Sequence, residues 1–169
     1  MQFHFRPPIS QSSVPLEYVK FALSYLRAAE HLALAMTKGE IAQNYYQGQT
    51  VLLLAHHAVE LFLKGFILQL APTRKLRTHS LQTLMRTFKE IDPSLAFDPP
   101  FKVEALVPYP VLVAKAEKDS ESFHELLRYP TGKNGQPWPG MRGFSMETCN
   151  RLLKQIHSDC ERVCGELFP

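Results

Sequence analysis

Cysteine is scarce in this chain. The three present, Cys149, Cys160 and Cys164, are odd in number and lack the spacing of a disulfide framework. At helical spacing they share one face with Leu152, Leu153, Ile156, Val163 and Leu167, so they read as small buried hydrophobes in a reducing compartment. Charge of one sign is also nearly lacking in excess. A net +3 does not by itself mark a nucleic-acid binder, although the pI of 8.8 leaves that role open. The N-terminal stretch MQFHFRPPISQSS has no continuous apolar run before a cleavage site, so no secretory signal is expected and the expected location is cytoplasmic. No internal repeat, domain linker or useful strand-like alternation is present. At 169 residues and 45% hydrophobic content, the chain suffices for one soluble domain with a sizeable core.

What is abundant is helical periodicity. Residues 1–13 read as a loose lead-in, and 14–169 as a single domain. Ser12 or Ser13 can cap a first helix with Pro15 in its opening turn, running to about Thr37 and stopped by Gly39. Its apolar stripe is expected to be Tyr18, Phe21, Ala22, Tyr25, Ala28, Ala29, Leu32 and Met36, with Ala28 and Ala29 admitting a close neighbour. A central helix begins near 41–44 and ends at Pro72. Thr78 or Ser80 caps a short third helix that ends at Asp92-Pro93. Residues 92–110 read as a long loop, 111–129 as a fourth helix, 131–144 as a second long loop, and Ser145 caps a last helix to Phe168. The expected fold is all-α, an up-and-down bundle of four to five helices with two long loops.

The central helix carries the most informative residues. Around VLLLAHHAVELFLKGFILQL, residues 51–70, His56, His57, Glu60 and Lys64 share one arc, and nearly all the remaining circumference is apolar. A helix of this length could span a bilayer, but two His, a Glu and a Lys near its middle argue for a covered helix in a soluble core. His57 and Glu60 stand three apart and Glu60 and Lys64 four apart, both spacings that bring side chains together. A metal site built from bundle helices would need a second such His/Glu pair; none occurs, and no metal is expected. A polar seam met by groups from other helices, with or without a ligand, remains.

Other motifs are weaker. Gly132-Lys133 lacks the upstream Gly and the following Ser or Thr of a phosphate loop, having Leu127 and Asn134 there. Trp138, between two Pro in a basic loop, could stack on a nucleic-acid base or simply anchor the loop. Basic residues are dense at Arg74, Lys75, Arg77, His79, Arg86 and Lys89, which a solvated face explains about as well as phosphate contact does. Arg-to-His spacings of five and six residues occur at Arg74…His79 and Arg151…His157, which chance nearly explains with nine Arg and seven His in the chain. Across six helical residues the latter two side chains point about 120° apart.

In order, Ala28-Ala29-Glu30, then Ala55-His56-His57-Ala58-Val59-Glu60-Leu61-Phe62-Leu63-Lys64-Gly65-Phe66, then His79-Ser80-Leu81-Gln82-Thr83-Leu84 and Arg128-Tyr129-Pro130, resemble the HEPN domain family. The likeness covers about residues 25–130. It implies a helical bundle, usually a homodimer, acting in RNA and nucleotide biology, often in toxin–antitoxin or antiphage systems. Some members are metal-independent ribonucleases using an Arg-x4–6-His motif at the dimer interface. Others lack it and bind partners, often beside a minimal nucleotidyltransferase. Here Arg128, where the family's Arg could stand, has no His four to seven residues later. The expected role is therefore a binding module for nucleotide, RNA or a partner protein, with His56, His57, Glu60, Lys64, His79, Arg128 and Tyr129 as candidate binding residues. The alternative is a ribonuclease in which Arg151 holds the scissile phosphate and His157 moves a proton. No cofactor and no membrane partner are expected.

Overall fold

A computed structural model of the chain describes residues 13–94, 127–131, 135 and 145–168. Four helices make up these regions: α1 (Val14–Thr37), α2 (Tyr45–Leu70), α3 (Leu81–Ile91) and α4 (Met146–Leu167). No strand occurs among the described residues, and the fold is an all-α helical bundle. The expected fourth helix and both long loops fall mostly outside the described residues. Of that helix only its end, Leu127 and Arg128, is seen, helical and stopped before Pro130.

The caps choose the helix starts. Asn44, in extended backbone, accepts from the Gln47 backbone N–H and starts α2. Of the two candidates for α3 it is Ser80 that accepts from Thr83 N–H, while Thr78 Oγ1 instead accepts from Ser80 N–H. Ser145 accepts from Thr148 N–H at the start of α4. Ser13 precedes α1 without a side-chain cap bond, and Pro15 supplies the preset φ.

α1 and α2 pack most extensively, joined by the link 38–44, in which Gly39 takes a positive φ of 76°. The pair is antiparallel, since Gly65 near the end of α2 lies against Pro15, Tyr18 and Val19 at the start of α1. A methyl group on Gly65 would sit 2.9 Å from both the Pro15 carbonyl oxygen and Val19 Cγ2, so the absent side chain sets the helix separation here. α4 lies along α1 in the opposite sense. Asn150 donates to Thr37 Oγ1 at one end, and Gln69 of α2 donates to the Leu167 carbonyl at the other. A continuous core runs through all four helices, with Leu26, Met36, Phe62, Phe66, Phe88 and Ile156 fully enclosed.

The buried stripe of α1 differs from the expected one. Val19, Ala22, Leu26, Ala29, Ala33 and Met36 face the core, whereas Phe21 and Ala28 face solvent and Tyr18, Tyr25 and Leu32 are half-buried. α1 carries two overlapping apolar stripes at helical spacing. The one richer in Ala meets α2 because small side chains permit the closest approach, so of the expected Ala pair only Ala29 admits the neighbour.

α2 is long and apolar enough for a membrane span, with mean hydropathy 1.7 over its best window, yet 72% of that window is buried within the protein. Its apolar girth is covered by α1, α3 and α4. On α4 the three thiols lie as expected, Cys149 and Cys160 buried and Cys164 half-buried, all free.

Candidate functional site

The centre of the site is Glu60, whose residue exposure is 1%. Helical spacing brings two neighbours from α2 itself. Lys64 Nζ, also buried, donates to Glu60 Oε1 at 2.8 Å, and His57 Nδ1 stands 3.8 Å from Oε2. The third partner arrives from elsewhere. After Leu70 the chain turns and passes back along α2 for about 15 Å, the rise of ten helical residues. This brings His79 Nδ1 to 2.9 Å from the same Oε1. An ionised carboxylate only accepts, so both Lys64 and His79 donate to it, which fixes the proton of His79 on Nδ1. His57 meets Tyr25 of α1 edge to face, ring centres 4.7 Å apart. The polar seam thus faces the chain's own α1 and the 71–80 segment. His56 is buried beside it.

Burial alone would push the Glu60 carboxyl up, because a charge is costly away from water. His57 and Lys64 beside it, with the charges of Lys64 and His79, overcome that cost and hold it at about 2. A carboxylate so held, and closed to solvent, keeps its charge near neutrality and is unsuited to accepting a substrate proton. What the cluster does is tie α2 to the start of α3. Among the described residues no group of three or more His, Cys, Asp or Glu side chains could hold a metal ion.

After a turn at 72–73, closed by the hydrogen bond from the Arg74 N–H to the Ala71 carbonyl, residues 75–80 alternate in exposure. Leu76 packs against the core and Ser80 is buried, while Lys75, Arg77 and His79 are exposed, as is Arg74. Anchored on its inner side, the segment forms a basic strap along the bundle. On α3, Arg86 and Lys89 are exposed as well.

His157 and Arg151 do not converge within the chain. His157 Nδ1 donates to Glu30 of α1, at 2.9 Å from Oε1 and 3.1 Å from Oε2, and its Nε2 lies 3.5 Å from Glu161 Oε1. The imidazole is thus held between two carboxylates at the α1–α4 seam. Arg151, on another side of α4, is exposed. Arg128 and Tyr129 are exposed at the end of their helix and make no hydrogen bond or ion pair with a described residue. The Glu30–His157 pair has no local sequence signal, its members standing 127 residues apart. No protein-family model, curated protein or solved structure matches the chain.

Proposed function

We propose that this chain is a HEPN-like helical module that binds RNA or nucleotide as a homodimer in a reducing, cytoplasmic compartment, without cleaving RNA. The observation that carries this reading is the Glu60 cluster. The Glu-x-x-x-Lys of the central helix and the His that opens the third helix, separate pieces of the family resemblance, meet on one buried carboxylate oxygen. Such a cluster specifies how helices register rather than performing acid–base chemistry. The geometry at Arg151 and His157 also favours binding over cleavage, because one protomer does not bring them to a common phosphate and carboxylates flank the imidazole. The ribonuclease alternative needs the Arg and the His from different protomers. A toxin–antitoxin or antiphage setting, with a minimal nucleotidyltransferase as partner, is the biological context the resemblance suggests.

The test pairs two assays on the purified protein with EDTA present. Fluorescence anisotropy with labelled RNA should show binding, and gel analysis of the same RNAs should show them intact. Cleavage by the wild type that disappears in His157→Ala would instead establish the ribonuclease. Absence of RNA and nucleotide binding would leave a protein partner as the ligand class.

A further inference from the structure

From residue 61 to residue 89 the chain contains no Asp or Glu. Within that stretch Arg74, Lys75, Arg77 and His79 lie exposed on the strap, and Arg86 and Lys89 on the exposed side of α3. Arg74, Lys75, Arg77 and Arg86 make no ion pair with any described residue. This contrasts with other exposed cations of the protein: Lys20 pairs with Glu17, Lys38 with Glu40, and Arg162 with Asp159 and Glu166. Exposed cations without an ion pair to a described residue also stand at Arg27, Arg128, Arg151 and Lys154, but the strap places three, Arg74, Lys75 and Arg77, within four residues, in a stretch free of Asp and Glu.

The strap is also held in place. Leu76 is anchored in the core, Ser80 Oγ caps α3, Thr78 Oγ1 accepts from Ser80 N–H, and His79 is drawn inward by Glu60. Where the chain is extended, alternate side chains share one side, which places Lys75 and Arg77 together about 6.6 Å apart along the segment. With the backbone of the segment pinned, meeting a row of anions orders only the cationic side chains, which lowers the entropic cost of docking.

We propose that the strap, with Arg74, Lys75 and Arg77 as its contacting groups and Arg86 as an extension, is the surface on which an RNA backbone docks. The inference rests on the RNA-binding reading above and names the surface that reading leaves open. The cations contact phosphates, so binding is insensitive to base sequence and releases counterions. The strap's exposed cations are two Arg and one Lys, and Arg presents a planar fork suited to phosphate oxygens.

The experiment compares wild type with the triple variant Arg74→Gln/Lys75→Gln/Arg77→Gln, binding a labelled single-stranded RNA of mixed sequence at 50–200 mM salt. Three phosphate contacts on a single strand contribute a slope of about 2 in log Kd against log salt, so wild-type binding should weaken about 20-fold more than the variant's over that range. A control, Arg27→Gln, removes an exposed cation of α1 and should leave the slope unchanged. The variant replaces only exposed side chains, and its far-UV circular dichroism should match wild type. If the wild type binds RNA and the triple variant binds with the same affinity and slope, the strap is not the surface, although RNA binding stands. If the wild type binds no RNA, the docking surface falls together with the RNA half of the functional reading. If it binds only an acidic protein or anionic vesicles through the strap, the proposed occupant is wrong.

Discussion

Replacing Glu60 by Gln gives the sharpest test of the buried cluster, because the expected effect depends on pH in a calculable way. In the folded chain the carboxyl is held at about 2 against an ordinary 4.5. Each pH unit is worth about 1.4 kcal/mol, so the ionised cluster contributes about 3 kcal/mol to folding. The folded-state value is the lower one, so this contribution is complete above the unfolded value of 4.5 and drains away as the pH falls toward 2. Urea unfolding followed by circular dichroism, at steps from pH 5 to pH 2.5, should show the wild type losing about 2–3 kcal/mol more than Glu60→Gln. Other carboxyls titrate in both proteins and cancel in the difference. Above pH 5 the variant should be less stable by about 3–5 kcal/mol, because Lys64 is left buried without its counter-charge. Adding Lys64→Met to Glu60→Gln should recover much of that loss. A stability gap between wild type and Glu60→Gln that stays constant from pH 5 to pH 2.5 would refute the account, since it would mean that no coupled carboxylate exists at this position.

Two other perturbations probe the packing. Gly65→Ala places a methyl 2.9 Å from the backbone carbonyl of Pro15, so α1 must move outward, and thermal unfolding should report a loss of about 1–3 kcal/mol. An unchanged melting temperature would show that the α1–α2 separation is not set at this glycine. Burial raises the thiols of Cys149 and Cys164 to about 11, and Cys160 further still. At pH 8 they should react with a disulfide reagent far more slowly in the native protein than in urea, and fast labelling of all three in the native protein would contradict the burial of α4.

The helix ends were legible because their signals are local. Asn44, Ser80 and Ser145 each cap within three residues, and Gly39 supplies the positive φ that ends the first helix. The seam on α2 was legible for the same reason, since three- and four-residue spacing is a property of the helix alone. The third partner of Glu60 was not, because His79 reaches it only after residues 71–78 have turned back along α2, a path that no local pattern encodes. Nor was the choice between the two stripes of α1, which depends on how closely α2 can approach. The Glu30–His157 pair joins helices far apart in the chain, whereas the contact of His157 with Glu161 follows from four-residue helical spacing.

The antiparallel α1–α2 pair has a consequence for how the molecule forms and opens. Its contacts are closed by the short link 38–44, so the loop entropy of forming it is small. The contacts that hold α4, by contrast, join residues separated by 98 to 127 positions. Chain topology therefore divides the bundle into an early, self-reinforcing hairpin and a late-docking terminal helix. Native-state hydrogen exchange should place the amides of α2 in the slowest class and show those of α4 exchanging through a smaller opening that leaves the hairpin intact. The strap, pinned to α2 through Glu60 and Leu76, belongs to the slow unit, so its array of cations persists even while the terminal helix is undocked.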